Sequence, residues 1–237
     1  MIPKLNDTPK YDLVIPSLNK EVKFRPYLVK EEKVLLMAFE ADDQKVALNA
    51  VADTITSCIN EDIKVNDLKL YDIEYMFTKI RAKSIGENAN LTVTCEECNY
   101  KTDTSVDIDT VQIVGPEDKP DDVIQITDSV SVEMTYPNFL KMISNDKIMS
   151  QQSTVESVIE LIADCVVCIN TEEEKIMMRD EPREKILEFI ESMTNDQFGK
   201  LRDYVESVPR VEINHEYVCE GCKKKKDIKI RNVSDFF

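Results

Sequence analysis

The chain has 237 residues, 42% of them hydrophobic, enough to bury one large core or two small ones. Its formal net charge is −16, which disfavours a nucleic-acid-binding role for the chain as a whole, because such binding rests on neutralising phosphates. Glycine occurs 4 times, with no GxGxxG or GxxxxGK[ST] pattern, which argues against a nucleotide enzyme.

No apolar run approaches the roughly 18 residues of a membrane span. The start, Met1 to Asp7, lacks the apolar core of a secretory signal. A reducing compartment is therefore expected, where paired cysteines favour metal over disulfide. The odd cysteine count of 7 points the same way.

In chain order, Tyr11–Pro16 and Glu21–Pro26 predict a hairpin, with Val22 and Phe24 alternating with charged residues. Lys30–Ala41 is built from strong helix formers. A second helical stretch carries Val51, Ile55, Cys58 and Ile59. A third carries Leu68, Ile73, Met76, Phe77 and Ile80. The strand-like run Asn90–Thr94 then leads into Cys95-Glu-Glu-Cys98.

Gly115–Asp122 has linker composition. Beyond it, residues 123–136 echo the first hairpin, and an offset of 110 places Val22 on Val132 and Phe24 on Met134. Val155, Ile159, Ile162, Val166 and Ile169 follow the 4-3-4-3 spacing of one helix, with Ser153 and Glu156 as its capping box. Cys-Ile-Asn closes both helical runs, at Cys58–Asn60 and Cys168–Asn170. A short helix is expected around Ile186, Leu187 and Ile190. Another carries Phe198, Leu201 and Val205, capped by Thr194 and Gln197. Strand, Cys219-Glu-Gly-Cys222 and strand end this half as they end the first. The pattern reads as a divergent tandem duplication. It assigns 1–113 to one α+β repeat, 114–122 to a linker and 123–237 to a second repeat.

The two Cys-x-x-Cys pairs carry the clearest chemistry. Four thiolates in two such pairs match one tetrahedral structural zinc site, with Cys95, Cys98, Cys219 and Cys222 as ligands. A closed four-sulfur site leaves no open position for catalysis. Asn99 suits a left-handed backbone, and Gly221 a tight turn between its ligands. Lys223–Lys226 offset the negative charge of the sulfurs. Their sharper reading is a zinc-ribbon nucleic-acid or transcription adaptor, kept as the alternative. Cys58, Cys165 and Cys168 read as small buried hydrophobes, the last two inside the apolar helix. His215, the single histidine, reads as a strand-surface residue with no nucleophile pattern around it. Phe236 and Phe237 either pack back on the fold or insert into a partner.

The pattern Pro-Ser-x-x-Lys-x-x-Lys-Phe-Arg-Pro-Tyr-Leu-Val-Lys-Glu-Glu-Lys at 16–33, within Val14–Glu40, resembles the opening of a phage family. That family is the baseplate hub and hub-assembly proteins of T-even-type contractile-tailed phages. The resemblance implies a non-enzymatic role in building the central hub, as component or assembly chaperone. It implies hub or tape-measure proteins as partners, and the host cytoplasm or the virion tail as the location. It supplies no catalytic residues. The expected fold is α+β: two related units of small antiparallel β element plus helices, joined by a zinc-ribbon-like four-cysteine site.

Overall fold

The computed structural model describes residues 8–41, 43–116, 120–149 and 154–231. The first elements are β1 (Tyr11–Ile15), β2 (Lys20–Phe24), α1 (Val29–Glu40), α2 (Gln44–Cys58) and α3 (Leu70–Ser84). Next come β3 (Asn88–Thr94), β4 (Lys101–Asp107), β5 (Gln112–Val114), β6 (Val123–Gln125) and β7 (Ser131–Met134). Helices α4 (Phe139–Ser144), α5 (Asp146–Met149) and α6 (Val155–Cys165) lead to β8 (Val166–Asn170) and β9 (Lys175–Met177). The chain closes with α7 (Arg183–Glu191), α8 (Asn195–Glu206), β10 (Arg210–Val218) and β11 (Lys225–Ile230). The fold is therefore α+β, with helices and small antiparallel sheets. Among the described residues no helix is long and apolar enough to cross a membrane.

The chain forms two compact units, and they are not the two sequential stretches 1–113 and 123–237. One takes the described residues up to Lys64, Tyr71–Val114 and the described residues from Arg210 on. The other takes Val65–Leu70 and Gly115–Pro209. The reason is the pairing of β10. Its start runs antiparallel to β5, with Val211 opposite Ile113. Its end leads into the second cysteine pair, which meets the first.

In the first unit, β1 and β2 pair as expected, with Tyr11 opposite Phe24 and Leu13 opposite Val22. Alternation puts Leu13, Ile15, Val22 and Phe24 inside. Asp72 of α3 is fully buried and holds the hairpin turn. It accepts the Ser17 N–H at 2.9 Å and the Ser17 hydroxyl at 2.6 Å. Helix α1 starts at Leu28, whose N–H donates to the Glu31 carboxylate at 2.7 Å. Arg25 donates to the same carboxylate at 3.0 Å. Asp43 caps α2 by accepting the N–H groups of Lys45 and Val46. Just past α2, Ile59 bridges back to Phe24 of β2. Leu35, Ile55, Ile73, Met76, Phe77 and Ile80 are nearly or fully buried. Each such side chain contributes roughly 1.5–3 kcal/mol.

In the second unit, β6, β7, β8 and β9 form one antiparallel sheet in that order. The helix expected to run through Ile169 stops at Cys165, and Val166–Asn170 is a strand. Neighbours on both sides, β7 and β9, supply its ladder. Cys168 is thus a strand residue, although it is buried as expected. Ser153 lies outside the described residues. The cap of α6 is Thr154, which exchanges hydrogen bonds with Ser157 at 3.2 and 3.0 Å. The Thr194–Gln197 capping box forms at the start of α8. Arg183 of α7 clamps α6, donating to Glu160 Oε2 at 2.6 Å and Asp164 Oδ1 at 2.8 Å. The Tyr204 hydroxyl of α8 donates to Asp122 at 2.7 Å.

Candidate metal centre

Within the first unit, two antiparallel hairpins present the cysteines. The first hairpin, β3–β4, places Cys95 directly after Thr94. The Cys95 N–H donates to the Tyr100 carbonyl at 2.9 Å, and the Asn99 N–H to the Cys95 carbonyl at 2.8 Å. The second hairpin, β10–β11, repeats this arrangement. The Cys219 N–H donates to the Lys224 carbonyl at 3.0 Å, and the Lys223 N–H to the Cys219 carbonyl at 2.8 Å. Asn99 and Lys223 both have positive φ, 56° and 58°. Each knuckle turns sharply enough to point two sulfurs the same way.

The four sulfurs converge. Cys98 Sγ lies 3.5 Å from Cys219 Sγ, and Cys95 Sγ lies 4.0 Å from Cys222 Sγ. All four lie within 4.8 Å of one another. A tetrahedron with metal–sulfur bonds of about 2.3 Å has sulfur–sulfur edges of about 3.8 Å. The donor set and its spacing therefore fit a metal ion, held by Cys95, Cys98, Cys219 and Cys222. Among the described residues this is the one cluster of three or more metal-ligating side chains.

Backbone dipoles prepare the sulfurs for negative charge. The N–H groups of Cys98 and Glu97 point at the Cys95 sulfur and hold its thiol below the ordinary value. Those of Cys222 and Gly221 act on Cys219, lowering it to about 6. The Tyr100 N–H favours the charged form of Cys98, but burial and then the neighbouring sulfurs outweigh it and push the thiol up to about 11. One apolar floor supports both knuckles: Tyr217 is buried with Cys95 and Cys219, and Val93, Cys222 and Ile228 pack against them.

The lysine run has a defined task in part. Lys224 reaches the Glu97 carboxylate at 2.7 Å, and Lys226 pairs with the other oxygen of the same group. Glu97 lies between the ligands of the first knuckle, so this contact joins the knuckles across the cluster. The two lysines hold its carboxyl down at about 2. Gly221 answers to crowding, and its φ is not positive. A Cβ there would sit 2.6 Å from Tyr100 Cβ and 3.2 Å from Cys98 Sγ.

The remaining candidates fall elsewhere. The half-buried His215 ring meets the Thr104 hydroxyl at 2.8 Å and is not in the sulfur cluster. Cys58 and Cys165 are fully buried, and burial raises their thiols to about 11 and about 12. Cys168 donates to Glu133 at 3.1 Å. Phe236 and Phe237 lie outside the described residues. Two supporting residues escaped the sequence reading: Tyr100, packed on Gly221, and the buried Thr102, whose hydroxyl accepts the Glu220 N–H at 3.1 Å. Neither belongs to a ligand-type pattern, so spacing carried no signal for them.

No curated protein and no solved structure matches the chain. The family model described as T4 bacteriophage base plate protein matches residues 8–237, and the chain belongs to that family.

Proposed function

We propose that this protein is a non-enzymatic tail-assembly protein, a component or chaperone of the baseplate central hub. It acts through contacts with hub or tape-measure proteins, in the host cytoplasm during assembly and in the virion tail if it is retained. The family match across residues 8–237 carries this reading. The four-sulfur cluster supports it from the chemical side. As a closed site it would hold a structural Zn2+, through Cys95, Cys98, Cys219 and Cys222, and leave no position for substrate. Zinc there would fasten the β3–β4 hairpin to the β10–β11 hairpin, and so the C-terminal segment to the first unit. The duplication reading has support in the matching roles of Val22 and Phe24 on β2 and of Val132 and Met134 on β7, all four buried.

The nucleic-acid alternative rests on the run Lys223–Lys226, of which Lys224 and Lys226 pair with Glu97. Affinity purification of the tagged chain from infected cells, with mass spectrometry of mature particles, tests the proposal. Hub or tape-measure proteins should co-purify. Recovery of nucleic acid instead, lost steeply with added salt, would favour the adaptor reading.

A further inference from the structure

Helix α1 carries an exposed apolar strip. Val29 keeps 80% of its surface in solvent, Met37 60% and Leu36 50%. At about 100° per residue, Val29, Lys33, Leu36, Met37 and Glu40 fall within roughly 100° of arc. Leu35 and Ala38 occupy the other side and are buried in the unit's own core. Exposed apolar residues gathered on one helix face favour a protein contact more than the same residues scattered singly.

The charges on the strip indicate what covers it. Lys33 lies toward its start and Glu40 toward its end. Among the described residues Lys33 and Glu40 have no ion-pair partner. The order is self-complementary under an antiparallel two-fold. Setting Leu36 against Met37 of a second copy brings Lys33 opposite Glu40. The same operation repeats that pair on the other side of the axis. A strip meant for a uniformly acidic or basic partner would not divide its charges about its own centre.

We propose that this face of α1 docks a second copy of this chain, α1 against α1 in antiparallel order, with Leu36 and Met37 at the two-fold axis. The inference goes beyond the hub reading and does not depend on it. At 12 residues the helix offers a small interface, so the dimer is a weak, concentration-dependent one.

Sedimentation velocity of the full-length chain over a range of concentrations tests this, with far-UV circular dichroism to check folding. The wild type should show a concentration-dependent dimer, and Met37→Glu should abolish it. Lys33→Glu and Glu40→Lys should each raise the dissociation constant about tenfold, since the two-fold counts each change twice. The double variant K33E/E40K should restore association, which a general surface effect would not do. A monomer at all concentrations overturns the proposal, as does a dimer indifferent to Met37→Glu. Capture of an unlike baseplate protein by this face, with no self-association, also overturns it.

Discussion

Asn99 and Lys223 occupy the same left-handed backbone position, one residue past the last cysteine of each knuckle, at φ 56° and 58°. For Asn this conformation is tolerable, because its short side chain can hydrogen-bond locally. For Lys it carries most of the steric cost of about 1–2 kcal/mol. Lys223 donates its N–H to the Cys219 carbonyl, so the knuckle cannot relax that angle without losing its turn. Lys223→Asn is therefore expected to stabilise the protein by up to about 1 kcal/mol. Asn99→Ala should destabilise it by a similar amount. Urea midpoints of the three proteins check this, and equal midpoints would contradict it.

Gly221 gives a different kind of sensitivity. The Cβ of Gly221→Ala would meet both Cβ and Cγ of Tyr100, at 2.6 and 2.8 Å. Overpacking of this sort costs typically about 1–3 kcal/mol. The displaced neighbour also abuts Cys98, so metal retention should fall with stability. Tyr100→Ala should fail to rescue the variant, because its Cβ still clashes, whereas Tyr100→Gly should rescue it. Metal bound per chain and melting temperature distinguish these outcomes.

Glu160 sets an acid limit for the second unit. Burial favours its neutral form, but Arg183, Lys147 and Asn145 bond its carboxylate and win, holding it below the ordinary value. A carboxylate with a depressed folded pKa contributes stability that is complete above its unfolded value near 4.3. That contribution is lost as the pH falls through the folded value. Glu160→Gln should cost about 2 kcal/mol at pH 7, because it leaves Arg183 without its closest partner. The penalty should shrink on acidification below about pH 4. Urea unfolding of both proteins across that range measures it, and a pH-independent penalty would refute the assignment.

How much of this was legible beforehand depended on local signals. The β1–β2 hairpin, the α1 to α3 helices, α7, α8 and the two cysteine hairpins all declare themselves by period or by turn chemistry. Strand β8 did not. Val166, Cys168 and Ile169 are buried between two neighbouring strands. Such a strand lacks the polar alternation that separates it from an apolar helix. The three-residue β5 was equally hidden, because its identity lies in its distant partner β10. That pairing is what carries the C-terminal segment into the first unit. The four ligand-type cysteines were readable from spacing alone. Thr102 and Tyr100, which pin the second knuckle, became visible only once the hairpins were set together.

The four-sulfur cluster makes the sharpest forecast. If the four sulfurs hold one ion, Cys95→Ser removes a ligand whose side chain is fully buried and bonded by two backbone N–H groups. One metal per chain should fall to well below one by atomic emission. Free energies of roughly 10–16 kcal/mol accompany structural zinc binding in small modules. Here Tyr217, Val93 and Ile228 form an apolar floor of their own, so the loss should be local. Hydrogen exchange should accelerate in β3, β4, β10 and β11, while β6 to β9 in the second unit keep their protection. Chelator treatment of the wild type should reproduce this pattern. Cys165→Ala, in the other unit, should leave metal content unchanged. A Cys95→Ser protein with full metal and unaltered exchange would remove the clasp from the account of this fold.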